Sequence, residues 1–324
     1  MSKPHVVIGS TTVDLYISGI DRMPHIDGDE FTVSSLAWCS QPLTMTCGGN
    51  GANSAYVLAA LGAPVTLVSA VGDDLLGQTI TGWLTAVGVA DRAILKRAGY
   101  GTSTTTALHD GHGNRLSFHH PGPLPDLHYA DFPESIFSGA ASLLITGYPL
   151  MRGFRPAGYL AALQTTHAGG GLTALDIGPA IGDPVTVAEL RPYFPHLDYL
   201  ITNDYELGIC TGLEQIEAAV EVLLTAGANR VLVKRGRDGA TAYAPDQAPL
   251  HVPAFPVEAT VTIGAGDSFN AGLLYALVEG RPLGQAIHIA HATAGQVVAS
   301  GRSVLGAPTF AGVQSFLGAR GVQL

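Results

Sequence analysis

Four short apolar runs dominate the chain from Ala141 onward. They are Leu143-Leu144-Ile145-Thr146-Gly147, Leu172-Thr173-Ala174-Leu175-Asp176, Tyr199-Leu200-Ile201-Thr202 and Val231-Leu232-Val233, with helically spaced segments between them. Runs this short and this uniformly apolar fit strands buried on both faces, which need helices above and below. The alternation predicts an α/β fold: a doubly wound, mainly parallel sheet with helices on both faces. No internal repeat, low-complexity tract or interdomain linker interrupts it, so residues 1–324 read as one domain. Gly169-Gly170-Gly171 reads as a turn, and Gly178 to Pro195 as a long surface crossing with a short helix.

The first half adds a different element. His5-Val6-Val7-Ile8-Gly9 reads as a buried first strand, and Asp14 follows just past its end, where open α/β sheets place ligand-binding residues. From Ile17 to Thr46, Pro24, Gly28 and the alternating Phe31-Thr32-Val33 and Leu43-Thr44-Met45-Thr46 read as exposed strands. Thr102 to Leu108 is β-favourable, Asp110-Gly111-His112-Gly113-Asn114 reads as a turn, and Arg115-Leu116-Ser117-Phe118-His119 returns as a strand. Residues 17–46 and 100–121 together predict a small β-sheet lid on the main sheet. Val65 to Gly72 is a further strand, followed by Asp73-Asp74, which read as caps of a helix closing near Gly88.

Two glycine-rich turns lead into helices. In Thr262-Ile263-Gly264-Ala265-Gly266-Asp267, the glycines permit close ligand approach, and the free N–H groups of the following first turn favour an anion. Asp267 is a carboxylate beside that anion pocket. Where the anion is a phosphoryl group in transit, such a carboxylate takes the proton of the attacking hydroxyl. An ordinary capped helix is the alternative. Cys47-Gly48-Gly49-Asn50-Gly51-Ala52-Asn53 opens a second helix, with Asn50 or Asn53 either as N-cap or facing a ligand. A Walker A loop is excluded, because none of Lys3, Lys96 and Lys234 follows glycine. The dinucleotide pattern fails at Phe269, which occupies the third glycine position.

Composition narrows the partners. A 47% hydrophobic and 13% charged chain is compact and globular, and a net charge of −10 lacks the basic stripe of a nucleic-acid surface. No apolar run reaches membrane-spanning length. Cys39, Cys47 and Cys210, odd in number and without metal spacing, fit a reducing compartment; together with the lack of a signal-peptide pattern they predict a cytoplasmic protein. The histidines at 109, 112, 119, 120 and 128 have no zinc spacing.

The two glycine turns carry a family resemblance. Thr262, Gly264-Ala265-Gly266-Asp267 and Phe269 resemble the second signature of the ribokinase-like (PfkB) carbohydrate kinases, with Val261 where that family usually has Asp. Gly48, Gly49, Gly51, Asn53 and Ala55 resemble the first signature. Asp74 with Gly77, Asn203 with Glu206, Gly236 with Gly239, and Gly306-Ala307-Pro308 match further motifs, so the similarity runs from about Val6 to Pro308. Lys234 replaces a usual threonine, and His291 a usual asparagine near adenine.

The resemblance implies ATP-dependent phosphorylation of a hydroxymethyl group, with Asp267 as base and Gly264-Ala265-Gly266 as anion hole. It implies that Asp14, Gly49 and Asn53, with Thr12 and Asn50, hold the acceptor. Asn203, Lys234, Gly236, Gly239 and His291 would bind ATP, and Asn203 and Glu206 would order Mg2+ through water. The expected acceptor is a neutral sugar or sugar acid, since the acceptor segments offer few cations (Arg22, Arg97, Arg115). A nucleoside kinase of the same fold, and a non-catalytic sugar or nucleotide sensor, are the alternatives. Leu36, Trp38, Leu43 and Phe118 predict a homodimer through the lid.

Overall fold

The computed structural model describes residues 2–25, 28, 32–110, 115–258 and 262–324. Of the turn expected at 110–114, residues 111–114 lie outside the described residues, as do Phe31 and the departure at Val261, while Asp110 ends a strand. In chain order the strands are β1 (His5–Ile8), β2 (Thr12–Ile20), β3 (Thr44–Gly48), β4 (Val65–Gly72), β5 (Val89–Ala90), β6 (Ile94–Arg97), β7 (Thr104–Asp110) and β8 (Arg115–His120). Then come β9 (Ser142–Ile145), β10 (Leu172–Asp176), β11 (Tyr199–Asn203), β12 (Val231–Lys234), β13 (Ala240–Tyr243) and β14 (Leu250–Val252). The helices are α1 (Asn50–Ala60), α2 (Leu75–Val87), α3 (Ser135–Ser138), α4 (Ala157–Ala168), α5 (Val187–Leu190), α6 (Asp204–Thr211), α7 (Ile216–Thr225), α8 (Ala265–Val278), α9 (Leu283–Ala299) and α10 (Phe310–Gly318).

The main sheet has the order β14-β13-β12-β11-β10-β9-β1-β4-β5, with β6 also on β4. It is parallel from β12 through to β5, and antiparallel only at β12-β13-β14. Successive side chains of β1 go to opposite layers: Val7 joins the core under α1, α2, α8, α9 and α10, while Val6 and Ile8 join the core under α3 to α7. Both sheet faces are therefore buried, as the uniformly apolar runs require. Each fully buried aliphatic side chain contributes about 1.5–3 kcal/mol relative to exposure. The expected doubly wound α/β fold is observed. No described helix is long and apolar enough to cross a membrane.

A second sheet, in the order β3-β2-β7-β8, stands beside the first. It begins at Thr12, earlier than residue 17, because only Gly9 to Thr11 separate β1 from β2. Residues 32–35 do not form the expected strand. Val33–Ser35 is a 3-10 turn, in which the Ser35 hydroxyl donates to Thr32 O (2.7 Å) and accepts from Thr32 N–H (3.1 Å). Such local hydroxyl–backbone bonds compete with a strand ladder. One register row across this sheet is Thr46, Asp14, Thr105 and His119; the next, on the opposite face, is Met45, Leu15, Thr106 and Phe118. The sheet thus has a polar face and an apolar one.

The crossing from Gly178 to Pro195 contains the short helix α5 but is not purely superficial. Tyr193 and Phe194 are buried, and the Tyr193 hydroxyl pairs with that of Tyr148 at 2.7 Å. Asp74 caps α2, accepting from Gly77 N–H at 2.8 Å, and also fixes Thr102.

Candidate active site

Three strand ends and three helix starts converge at the carboxyl edge of the main sheet. Gly264 caps α8 with φ of 78°, and a Cβ there would stand 2.7 Å from Val304 Cγ1, so only glycine fits. Ala265 N–H donates to Thr262 O at 3.3 Å. The Gly266 and Asp267 N–H groups belong to the first turn of α8, where helix geometry supplies no acceptor. Asp267 is 7% exposed. Its Oδ1 accepts from Asn50 Nδ2 at 3.0 Å and its Oδ2 from Asn53 Nδ2 at 2.8 Å. Burial raises its pKa above the usual carboxylate value, and the two amide bonds only partly offset that.

A second cluster joins β10, β12 and α8. Lys234 Nζ lies 2.7 Å from Asp176 Oδ2 and 3.3 Å from Asn270 Oδ1. Asn270 Nδ2 donates to the same Asp176 oxygen, and Gly178 N–H to Asp176 Oδ1 at 3.1 Å. Burial disfavours the Lys234 ammonium, yet the carboxylates of Asp176 and Glu206 outweigh it and raise the pKa. Asn203 and Glu206 form a reciprocal cap on α6: Asn203 Oδ1 accepts from Glu206 N–H (2.8 Å), and Glu206 Oε2 from Asn203 N–H (3.1 Å). Burial, then the nearby Asp176 charge, push Glu206 up to about 7.

Both clusters open into one cavity of about 1090 Å³. Asn50, Asn203, Glu206, Lys234 and Asp267 line it, as do the main-chain turns at Gly236, Gly239 and Gly264 to Gly266. Its far wall is apolar, formed by Phe255, Val257, Ala294 and Val298. His291 completes that wall: its Nε2 lies 3.2 Å from Val252 O, its ring meets Phe269 edge-on, and burial lowers its pKa to about 4, so it is neutral. Among the described lining residues, five carboxylates (Asp176, Asp204, Glu206, Asp238, Asp267) face two cationic side chains (Lys234, Arg237).

Four residues expected at the acceptor do not line this cavity. Thr12 is buried with its hydroxyl 2.9 Å from that of Ser103. Asn53 is buried on Asp267. Gly49, with φ of 85°, lets α1 pack on the β1–β2 link, where a Cβ would stand 2.5 Å from Ser10 O. Asp14 sits on the polar face of the second sheet, accepting from the Tyr16 hydroxyl at 3.2 Å. Asp176 and Asn270 were not singled out in the sequence. Asp176 ends a parallel strand, the same kind of position that drew attention to Asp14, and Asn270 lies three residues beyond Asp267 on one helix face.

The sequence profile of the pfkB family carbohydrate kinases matches residues 14–309. The chain belongs to that family. It is an ATP-dependent carbohydrate kinase of the pfkB group, with the ribokinase fold. It is 24% identical over 281 residues to the 5-dehydro-2-deoxygluconokinase of Clostridium perfringens, covering 83% of each chain. To the ATP-dependent ribose-1-phosphate kinase of Halopiger xanaduensis it is 28% identical over 306 residues, covering 93% of this chain and 94% of that one. The structure of Arabidopsis thaliana ribokinase complexed with ribose and ATP superposes with a TM-score of 0.83 at 25% identity, covering 98% of this chain and 99% of that one.

Proposed function

We propose that this pfkB kinase transfers the γ-phosphoryl group of ATP to a primary hydroxyl of a neutral sugar or sugar acid, with Asp267 as the base. The observation that carries this reading is the buried Asp267 carboxylate, oriented by two amides and set in the first turn of α8 at the wall of a nucleotide-sized cavity. Its raised pKa makes it a stronger base than a solvated carboxylate. The first-turn amides and the positive end of α8 stabilise charge on the transferred group. The apolar wall around His291 suits the adenine, and the turns at Gly236 and Gly239 follow the nucleotide toward Lys234.

An excess of carboxylates over cations in the lining admits a polyphosphate only together with its own cations. The hard oxygens of Asn203 and Glu206 suit magnesium held through water. When bound, magnesium neutralises phosphate charge there.

The acceptor lies between Asp267 and the polar face of the second sheet, near Asp14, Gly49 and Asn53, with that sheet as a lid that excludes water. Cations for a phosphorylated sugar are scarce there. Arg22 bonds to the carbonyls of Val33 and Leu36, and Arg97 pairs with Asp131 at 2.8 Å. The side chain of Arg115 lies outside the described residues. The apolar lid face, with Phe118 exposed on it and Trp38 exposed in the segment before β3, pairs with a second copy in a homodimer.

The deciding experiment is a coupled ADP-release screen across pentoses, hexoses, keto-deoxy sugar acids, nucleosides and fructose 6-phosphate. A neutral sugar or sugar acid should give the highest kcat/KM. A preference for fructose 6-phosphate would overturn the acceptor assignment, and one for nucleosides would move the chain to nucleoside kinases.

A further inference from the structure

The cluster around Lys234 is more tightly built than a general phosphate contact requires. An ammonium has three donors. Two of them are engaged within the chain, on Asp176 Oδ2 and Asn270 Oδ1, which leaves one for a ligand in the cavity. Asp176 is itself fixed, by Asn270 on Oδ2 and by Gly178 N–H on Oδ1. Asn270 is wholly buried, and the Lys234 side chain is 14% exposed. The ammonium therefore cannot roam as a surface lysine does.

Its location selects which phosphate it meets. Lys234 Nζ stands 3.5 Å from the point where a Cβ on Gly266 would lie, against the first turn of α8. Asp267 is the next residue. A hydroxyl that loses its proton to Asp267 must attack a phosphorus atom close to this same turn. The group nearest Lys234 is then the one being transferred, and the α- and β-phosphates lie farther along the cavity.

We infer that Asp176 and Asn270 are positioning residues that hold the Lys234 ammonium at the γ-phosphoryl group of ATP, separately from the rest of the nucleotide. The assignment rests on the kinase reading above and deepens it. In the transfer step the oxygen–phosphorus bond to the acceptor forms as the bond to the β-phosphate oxygen breaks, and the acceptor proton passes to Asp267. Lys234 exchanges no proton. It balances charge on the equatorial phosphoryl oxygens.

The test compares two nucleotides on the full-length protein by calorimetry with magnesium present: ADP, and the non-hydrolysable β,γ-imido analogue of ATP. Lys234→Met should weaken the ATP analogue at least tenfold while ADP binding changes less than twofold. Asp176→Asn, which keeps the lysine but releases it, should reproduce this selective loss and lower kcat at least tenfold. Asn270→Ser reads the same network should Asp176→Asn fold poorly. Lys234→Arg, restoring the charge, should recover part of the loss. A purely structural ion pair would instead weaken both nucleotides alike or lower the melting temperature with neither affected; either result overturns the assignment. If the wild-type chain binds neither nucleotide, the kinase reading itself fails. If it binds both and Lys234→Met loses them equally, only the role of Lys234 fails.

Discussion

Replacing Asp267 with asparagine separates its chemistry from its structural part unusually well. The carboxylate accepts one amide on each oxygen, Asn50 at 3.0 Å and Asn53 at 2.8 Å. An asparagine keeps one of these bonds and brings an NH2 group against the other donor. Asn53 can relieve that conflict, because its Oδ1 is buried without a hydrogen-bond partner and a flipped amide would accept the new N–H. The substitution also removes a buried charge whose desolvation already raises its pKa. A hydrogen bond gained or lost is worth about 1 kcal/mol, or a few degrees in melting temperature for a chain of this size. Stability should therefore hardly move. The rate should fall by about two to four orders of magnitude, roughly 2.7–5.4 kcal/mol in activation free energy, the usual weight of a general base. Calorimetry should show nucleotide binding intact, and a coupled ADP-release assay should show kcat collapsing.

The pH profile supplies a second check with a definite sign. With a raised pKa, Asp267 loses its basic form as pH falls through a value above the ordinary carboxylate range. The wild-type acid limb should accordingly lie above that range and vanish in Asp267→Asn. Near-normal kcat in the variant, or an unchanged acid limb in its residual activity, would remove Asp267 from the mechanism.

Glu206 carries a stability prediction. Its folded pKa is about 7 against an ordinary 4.5, so the folded chain holds an extra proton between those values; the stabilisation is complete below about 4.5 and lost as pH rises through about 7. The melting temperature of ligand-free Glu206→Gln should gain on wild type from pH 5 to 8, since the opposite trend from neutral His5 and His291 is common to both; parallel curves would refute it. Leu36, Trp38, Leu43 and Phe118 are 40%, 73%, 57% and 59% exposed, so light scattering at micromolar concentration should show a dimer that Phe118→Glu dissociates; a wild-type monomer would end the lid-pairing reading. The side chain of a valine at position 261 supplies neither oxygen nor charge to a monovalent cation, so replacing potassium by a large organic cation should change turnover less than about threefold, or below roughly 0.7 kcal/mol. Activation of tenfold or more would show a cation site that does not need the usual acid.

What the sequence made legible was local. Gly264 to Asp267 announces itself because the turn, the helix start and the carboxylate are contiguous. The buried strands were legible because uniform apolarity implies cover on both faces. Asn50 looked like a cap candidate because its partner, Asp267, is 217 residues away. Asp176 and Asn270 are 94 residues apart and acquire a joint meaning only when β10 and α8 pack together. Thr12 carried a hydroxyl in a suggestive place, but Ser103, 91 residues later, engages it. Thr32-Val33 read as strand by alternation, and the serine hydroxyl that turns the chain there is invisible to a period-2 pattern.

One helix face joins the two clusters. Asp267 and Asn270 stand three residues apart on α8; the first is held by α1, the second by β10 and β12. Any displacement of α8 therefore moves the base and the lysine network together. The position of α8 is set from behind by α9, where Gly272 fits so closely that an added Cβ would lie 2.9 Å from Thr293 Oγ1 and 3.0 Å from Ala290 Cα. The backbone of α9 cannot yield as a flexible side chain would. Gly272→Ala gains about 1 kcal/mol in helix propensity, against an overpacking cost of about 1–3 kcal/mol, so net destabilisation should be small. Catalysis should suffer more, since even a displacement of about 1 Å in catalytic geometry lowers rates by roughly two orders of magnitude. Gly272→Ala should thus lose kcat at least tenfold while melting within a few degrees of wild type. Wild-type kcat in a folded Gly272→Ala would show that the base and the lysine network tolerate movement of the helix that carries them.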